Sequence, residues 1–185
     1  MILLRHGQTT FNLHFNATRT DPGIADPRLT PLGHAQAGQA LAALAGERIR
    51  RIIVSPYTRA LQTAAPLAAA LGVPMVVNPL VRERCAFTCD VGTPRSGLER
   101  TWPLLDFSAV DEVWWPSAEE PFQSLLERAA RFRADMAALP DWPDTLVVSH
   151  WGFILALTGE RLGNGEWRRC DPTAPAPDGV TPHYG

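Results

Sequence analysis

Met1-Ile-Leu-Leu-Arg-His-Gly7 opens the chain, and its reading decides the fold. Met1–Leu4 is a short apolar run of the kind that forms a buried strand, and a cation and an imidazole follow it at once. The arrangement recurs. Ile52–Val54 runs into Ser55-Pro56-Tyr57-Thr58-Arg59, and Leu146–Val148 runs into Ser149-His150-Trp151-Gly152. In an open parallel α/β sheet, ligands bind in the crevice outside the carboxyl ends of the strands. Three strand ends thus carry two arginines and two histidines to one edge of one sheet. That set suits a phosphate dianion and a histidine nucleophile.

The rest of the pattern alternates strand and helix. After the first strand, Gln8 to Arg28 reads as polar and irregular. Thr30 is an N-cap with Pro31 at the first helical position, opening a helix to about Ala45 with Gly46 as its stop. Arg51–Val54 is the second strand. Ser55-Pro56 repeats the cap-and-proline signal for a helix to Leu71, with Pro66 expected to kink it. Met75–Val77 is the third strand. Residues 84–116 show no clear period but hold three of the six tryptophans, which argues for an ordered functional loop. Ser117-Ala-Glu-Glu120 reads as a capping box before an apolar face of period 3.6 from Phe122 to Met136. Thr145–Val148 is the fourth strand, Phe153–Leu162 a last helix, and Asn164–Arg169 a short edge strand. This alternation implies an α/β fold, a three-layer sandwich whose mostly parallel central sheet has helices on both faces. Residues 1–170 read as one domain and 171–185 as a Pro-rich tail that frays.

At 185 residues, with 45% hydrophobic and 19% charged residues, the composition is that of a soluble globular protein. A net charge of −2 supplies no basic field for nucleic acid or an anionic membrane, so any anion site is local. Neither a secretory signal nor an apolar run of roughly 18 residues is present. The three cysteines, Cys85, Cys89 and Cys170, form no C-x-x-C pair and read as reduced thiols in a cytoplasmic protein. Cys85 and Cys89 lack the further ligands that zinc needs, so zinc is not expected there, and no cofactor is called for.

The site chemistry follows from residue types. Charge on a phosphoryl group in flight spreads over three equatorial oxygens, so fixed donors must surround it. Arg5 and Arg59 supply bidentate, permanently charged forks, and Arg59 also falls in a helix's first turn, where the dipole favours an anion. His6 is the nucleophile if its other nitrogen donates, for example to the Gly7 carbonyl. His150 adds a proton or charge to the transition state. A leaving alkoxide needs a proton, and Glu83 in Arg82-Glu83-Arg84 is the expected general acid, with Asp90 in reserve. Flanking arginines lower a carboxyl pKa, so burial or a neighbouring negative charge has to counter them. His14, His34 and His183 read as non-functional, and the tryptophans as core or loop anchors.

At these residues the chain resembles the histidine phosphatase superfamily, the phosphoglycerate-mutase-like clan. Leu4–Thr9 is its Leu-Arg-His-Gly-Gln-Thr signature, and Asn12 matches the family's phosphate-contacting Asn. Ser55–Ala64 matches its Ser-Pro…Arg…Gln-Thr-Ala block, Arg82–Arg84 the segment of the acid glutamate, and Val148–His150 the second histidine block. The resemblance spans residues 2–155. It implies His6 as phosphorylated nucleophile, Arg5, Asn12, Arg59 and His150 around the phosphate, and no metal. Trp151 departs from the family's usual Gly; its backbone N–H can still serve phosphate, while its indole either narrows the mouth or stacks on substrate. The chain is also shorter than cofactor-dependent mutases, which favours hydrolysis of a small phosphorylated metabolite. A phosphoglycerate mutase and a non-catalytic module binding a phosphorylated ligand are the alternatives. Arg19, Arg28, Arg82, Arg84, Arg95 and Arg100 form either an outer anionic pocket or solvated surface. Substrate identity and oligomeric state stay open.

Overall fold

The computed structural model describes residues 1–181, so the reading of His183 lies outside the described residues. Five strands form one sheet in the order β3-β2-β4-β1-β5. They are β1 (Ile2–Arg5), β2 (Arg51–Val54), β3 (Met75–Val77), β4 (Thr145–Ser149) and β5 (Trp167–Arg169). The first four pair in parallel and β5 runs antiparallel to β1, which bears out the mostly parallel sheet. Ile2 and Leu4, Ile52 and Val54, and Leu146 and Val148 face one apolar cluster; Leu3, Ile53 and Val147 face the other. Successive side chains in a strand point to opposite faces, so short runs without polar gaps belong to a sheet buried on both sides.

Helices α2 (Pro31–Ala43) and α3 (Thr58–Leu71) cover the first face, with Leu98 of α4 (Arg95–Thr101). Helices α5 (Phe122–Ala137) and α6 (Trp151–Thr158) cover the second. The start of α2 is the expected one: Thr30 accepts the Gly33 N–H at 3.1 Å and Pro31 opens the helix. Gly159, at φ 75°, ends α6 earlier than the expected Leu162. Helix α3 continues through Pro66 to Leu71.

Four expectations need correction. Gln8–Arg28 is not irregular throughout, because α1 (Thr10–Thr18) lies within it, opened by a capping box between Thr9 and Asn12. Ser55-Pro56 does not cap α3. That helix begins two residues later, and Asp26, held at φ 38°, accepts the Thr58 N–H at 2.9 Å and the Thr58 hydroxyl at 2.6 Å. Glu120 does not cap α5 either. It is buried between Arg82 at 3.0 Å and Arg128 at 2.7 Å, an ion pairing that outweighs an exposed cap. Residues 84–116 contain a 3₁₀ turn, Thr88–Asp90, as well as α4. At the start of the tail, Arg133 donates to the carbonyls of Asp171 and Ala174.

Candidate active site

The carboxyl ends of β1, β2 and β4, neighbours at the sheet's centre, deliver His6, Arg59 and His150. Immediately after β1 the chain turns between two helices. The Gly7 N–H donates to Thr63 Oγ1 of α3 at 3.1 Å. On the other side, a Cβ at Gly7 would lie 2.3 Å from the Gly33 carbonyl oxygen at the start of α2. Only glycine allows that backbone approach. His6 is buried, and its Nδ1 lies 2.7 Å from the Gly7 carbonyl, which can only accept. Nδ1 therefore carries the proton and Nε2 the lone pair. Burial, then the charges of Arg59 and Arg5, hold the imidazole well below the usual histidine pKa, so it is neutral.

Arg59 is fully enclosed. Its Nη1 donates to the Cys89 carbonyl at 2.8 Å, its Nη2 to Asp90 Oδ1 at 3.1 Å, and its Nε to His150 Nδ1 at 3.3 Å. The Tyr57 ring lies against its guanidinium at 4.1 Å. A guanidinium has five N–H donors. Three are engaged, and two remain for a ligand in the cavity that Arg59 lines. Asp90 also accepts the Ala86 and Phe87 N–H groups at 3.1 Å each.

His150 lies between Arg59 and Ser55. Arg59 Nε can only donate, so His150 Nδ1 is the acceptor, and Nε2–H donates to Ser55 Oγ at 2.7 Å. Both ring nitrogens are occupied, and the residue sits behind the cavity wall, its ring 5.0 Å from that of His6. Burial and the Arg59 charge hold it neutral, well below the usual range.

Arg5 donates from Nη1 to the Leu162 carbonyl at 2.7 Å, and its buried Nε has no protein acceptor. Burial pushes its pKa down to about 10, which leaves it charged at neutral pH. Asn12 is oriented by its carbonyl oxygen, which accepts from Thr9 N at 3.1 Å and Asn164 Nδ2 at 3.2 Å. Its amide nitrogen is thus the end left for the cavity, which Asn12 lines.

Glu83 reaches the cavity from the segment after β3. Its carboxylate accepts the Arg84 N–H at 2.8 Å and the Gly152 N–H at 3.0 Å. A Cβ at Gly152 would fall 2.4 Å from Glu83 Oε1, so glycine second in α6 is what admits the carboxylate. Arg128 anchors the segment below by donating to the carbonyls of Leu80 and Arg82 at 2.8 Å each. The flanking arginines turn away, Arg82 to Glu120 and Arg84 to Glu119. Burial, then the Asp90 charge, therefore prevails and raises the Glu83 pKa. Burial raises Asp90 as well, but Arg59 and two amides favour its anion.

These groups line one cavity of about 420 Å³. Arg5, His6, Asn12, Arg59, Glu83 and Trp151 border it; His150 does not. Asp90 borders it as the partner of Arg59. Of the outer arginines, Arg19 and Arg84 reach it, whereas Arg28 and Arg100 line a different hollow. Among the described residues, no group of three or more His, Cys, Asp or Glu side chains is gathered for a metal ion. Sequence reading missed the wall of Phe11, Phe15 and Phe87, although the i, i+4 spacing of the first two was a visible signal. It also missed Asp26 and Gly152, whose roles depend on contacts between distant segments.

Known proteins resemble this chain along most of its length. A probable phosphoglycerate mutase GpmB of Yersinia enterocolitica is 29% identical over 178 residues, 88% of this chain and 74% of its own. A glucosyl-3-phosphoglycerate phosphatase of Mycolicibacterium vanbaalenii is 28% identical over 176 residues, with the same 88% and 74% coverage. The solved structure of a mycobacterial glucosyl-3-phosphoglycerate phosphatase with VO3 superposes with a TM-score of 0.63 at 25% identity, covering 90% of each chain. The family model for the histidine phosphatase superfamily (branch 1) matches residues 1–174, and with the Arg5-His6-Gly7 turn, Arg59 and Glu83 around one cavity, the chain belongs to that superfamily.

Proposed function

We propose that this chain is a phosphomonoesterase that works through a phosphohistidine on His6. The observation that carries the reading is the 2.7 Å contact from His6 Nδ1 to the Gly7 carbonyl, which fixes the lone pair on Nε2 of a residue lining the cavity. Nε2 attacks phosphorus while the bond to the leaving oxygen breaks and its electron pair stays on that oxygen. Glu83, whose pKa is raised by burial and by the Asp90 charge, gives the alkoxide its proton. The ring, now phosphorylated on Nε2 and still protonated on Nδ1, is cationic and faces the Gly7 carbonyl. Water then attacks phosphorus, Glu83 takes back a proton, and the P–N bond breaks to release phosphate and neutral His6.

Arg5 and Arg59 supply the charge around the equatorial oxygens, with the Asn12 amide as a neutral donor. No step calls on a metal. His150 and Asp90 are positioning residues that hold Arg59 from two sides. Trp151 forms part of the mouth. The substrate is a small phosphorylated metabolite, as the names of the phosphatase relatives suggest. Residues 1–170 act as one domain, both apolar clusters sharing a single sheet. Three free thiols and no described helix long and apolar enough to cross a membrane support a cytoplasmic setting.

The test is p-nitrophenyl phosphate hydrolysis in EDTA by wild type and His6→Ala, followed by acid-labile, base-stable radiolabel on the quenched protein. Turnover and label in wild type only is the expected result. Equilibration of 2- and 3-phosphoglycerate with little phosphate release would instead make the protein a mutase.

A further inference from the structure

The cavity is larger and more apolar than phosphate chemistry requires. Its volume of about 420 Å³ falls in the range, about 300–1,000 Å³, that holds a drug-sized ligand. Arg5, His6, Arg59 and Glu83 form one end. Helix α1 forms another wall, where Phe11, Asn12, Phe15, Asn16 and Arg19 recur at helical spacing on the cavity side. Phe11 and Phe15, four residues apart, stack with ring centroids 5.3 Å apart and planes 13° from parallel. Phe87, from the segment after Glu83, closes on both, at 5.7 Å from Phe11 and edge-on at 5.2 Å from Phe15. Phe11 is buried, whereas Phe15 and Phe87 keep part of their surface toward the cavity. The Trp151 indole borders the same space.

The charges beyond the phosphate end are weakly placed for recognising a second anion. Arg84 is engaged by Glu119 and by the Glu120 carbonyl. Arg19 and Arg161 are exposed to water, where a single ion pair changes affinity by less than about fivefold. Covering an aryl ring with three phenylalanines and an indole is worth about tenfold or more. The apolar term prevails over the ionic one.

We propose, resting on the phosphomonoesterase reading above, that the preferred substrates are monoesters whose leaving alcohol carries a planar aromatic group. The phosphoryl group sits at His6, and the arene lies on the Phe11–Phe15–Phe87 wall beneath the Trp151 indole. Small hydrophilic esters such as phosphoglycerates and hexose phosphates would leave that wall wet.

Leaving-group reactivity must be kept out of the comparison, so the probes are all alkyl esters: 2-naphthylmethyl phosphate, methyl phosphate, 3-phosphoglycerate and glucose 6-phosphate. We expect kcat/KM for the naphthylmethyl ester to exceed each of the others by about tenfold or more. In Phe15→Ala, and independently in Phe87→Ala, the ratio of naphthylmethyl to methyl phosphate should fall at least about fivefold, mainly through KM. Using two variants on different segments guards against one of them misfolding. Equal rates on the four esters, a preference for 3-phosphoglycerate or the sugar phosphate, or an unchanged ratio in both variants overturns the arene proposal while leaving the phosphatase reading intact. Hydrolysis of none of the four, nor of p-nitrophenyl phosphate, overturns both.

Discussion

Arg59 and Asp90 form a salt bridge of 3.1 Å in which both side chains are about 97% or more shielded from water. A buried ion pair adds little net stability, because desolvating two charges costs about as much as their attraction returns. Its consequence is geometric. The guanidinium is fixed at the cavity between an anion, an imidazole and the Tyr57 ring.

Removing one partner of that pair is costly. Asp90→Ala should destabilise the fold by about 3–5 kcal/mol, since it strands a buried arginine; thermal or urea unfolding measures this. Asp90→Asn keeps an acceptor for Arg59 but removes the charge that raises the Glu83 pKa. The alkaline limb of kcat/KM for alkyl phosphates should then move to lower pH. An unmoved limb would show that the Asp90 charge does not set the Glu83 pKa.

Glu83→Gln separates substrates by leaving group. Alkyl phosphates, which need the proton, should lose about 10²–10⁴-fold in kcat, and p-nitrophenyl phosphate far less. Equal losses on the two would assign Glu83 a structural role.

Gly152→Ala places a methyl group 2.4 Å from Glu83 Oε1 and leaves the residue's chemistry alone. The carboxylate must move, so the variant should reproduce the leaving-group dependence of Glu83→Gln with the general acid still present. Wild-type rates on alkyl phosphates in this variant would contradict the placement of Glu83.

His6 and His150 are both neutral in the folded protein, with pKa values held below the ordinary 6.5. In the unfolded chain each takes a proton below about pH 6.5, so the unfolded state binds more protons there. Stability should fall as pH drops below that value, by up to about 1.4 kcal/mol per pH unit for each histidine. Tm measured from pH 7.5 to 5 should show the decline, and His150→Gln should reduce its slope.

Much of the sheet, and the side chains that border one end of the cavity, were legible because short apolar runs and the residues after them are local signals. Arg5, His6, Arg59 and Glu83 needed only their own strand ends to be found. The Thr30-Pro31 start of α2 was equally local. Three features were not legible, each for the same physical reason. The α3 cap comes from Asp26, 32 residues earlier in the chain. Glu120 turns inward because Arg82 and Arg128 meet it there. Both nitrogens of His150 are taken by Ser55 and Arg59, and no reading of Ser149-His150-Trp151 reveals that.

The strand order also sets a schedule for synthesis. β1 and β2 leave the ribosome early, yet they do not pair with one another; β4, residues 145–149, lies between them. Until that late strand inserts, His6 and Arg59 belong to two edges with nothing to hold them in register. Such contacts between chain segments far apart in sequence are slow to form. A nascent chain thus carries His6 and Arg59 apart until residues 145–149 have been made, and a single insertion event then joins the central sheet and brings the two side chains together.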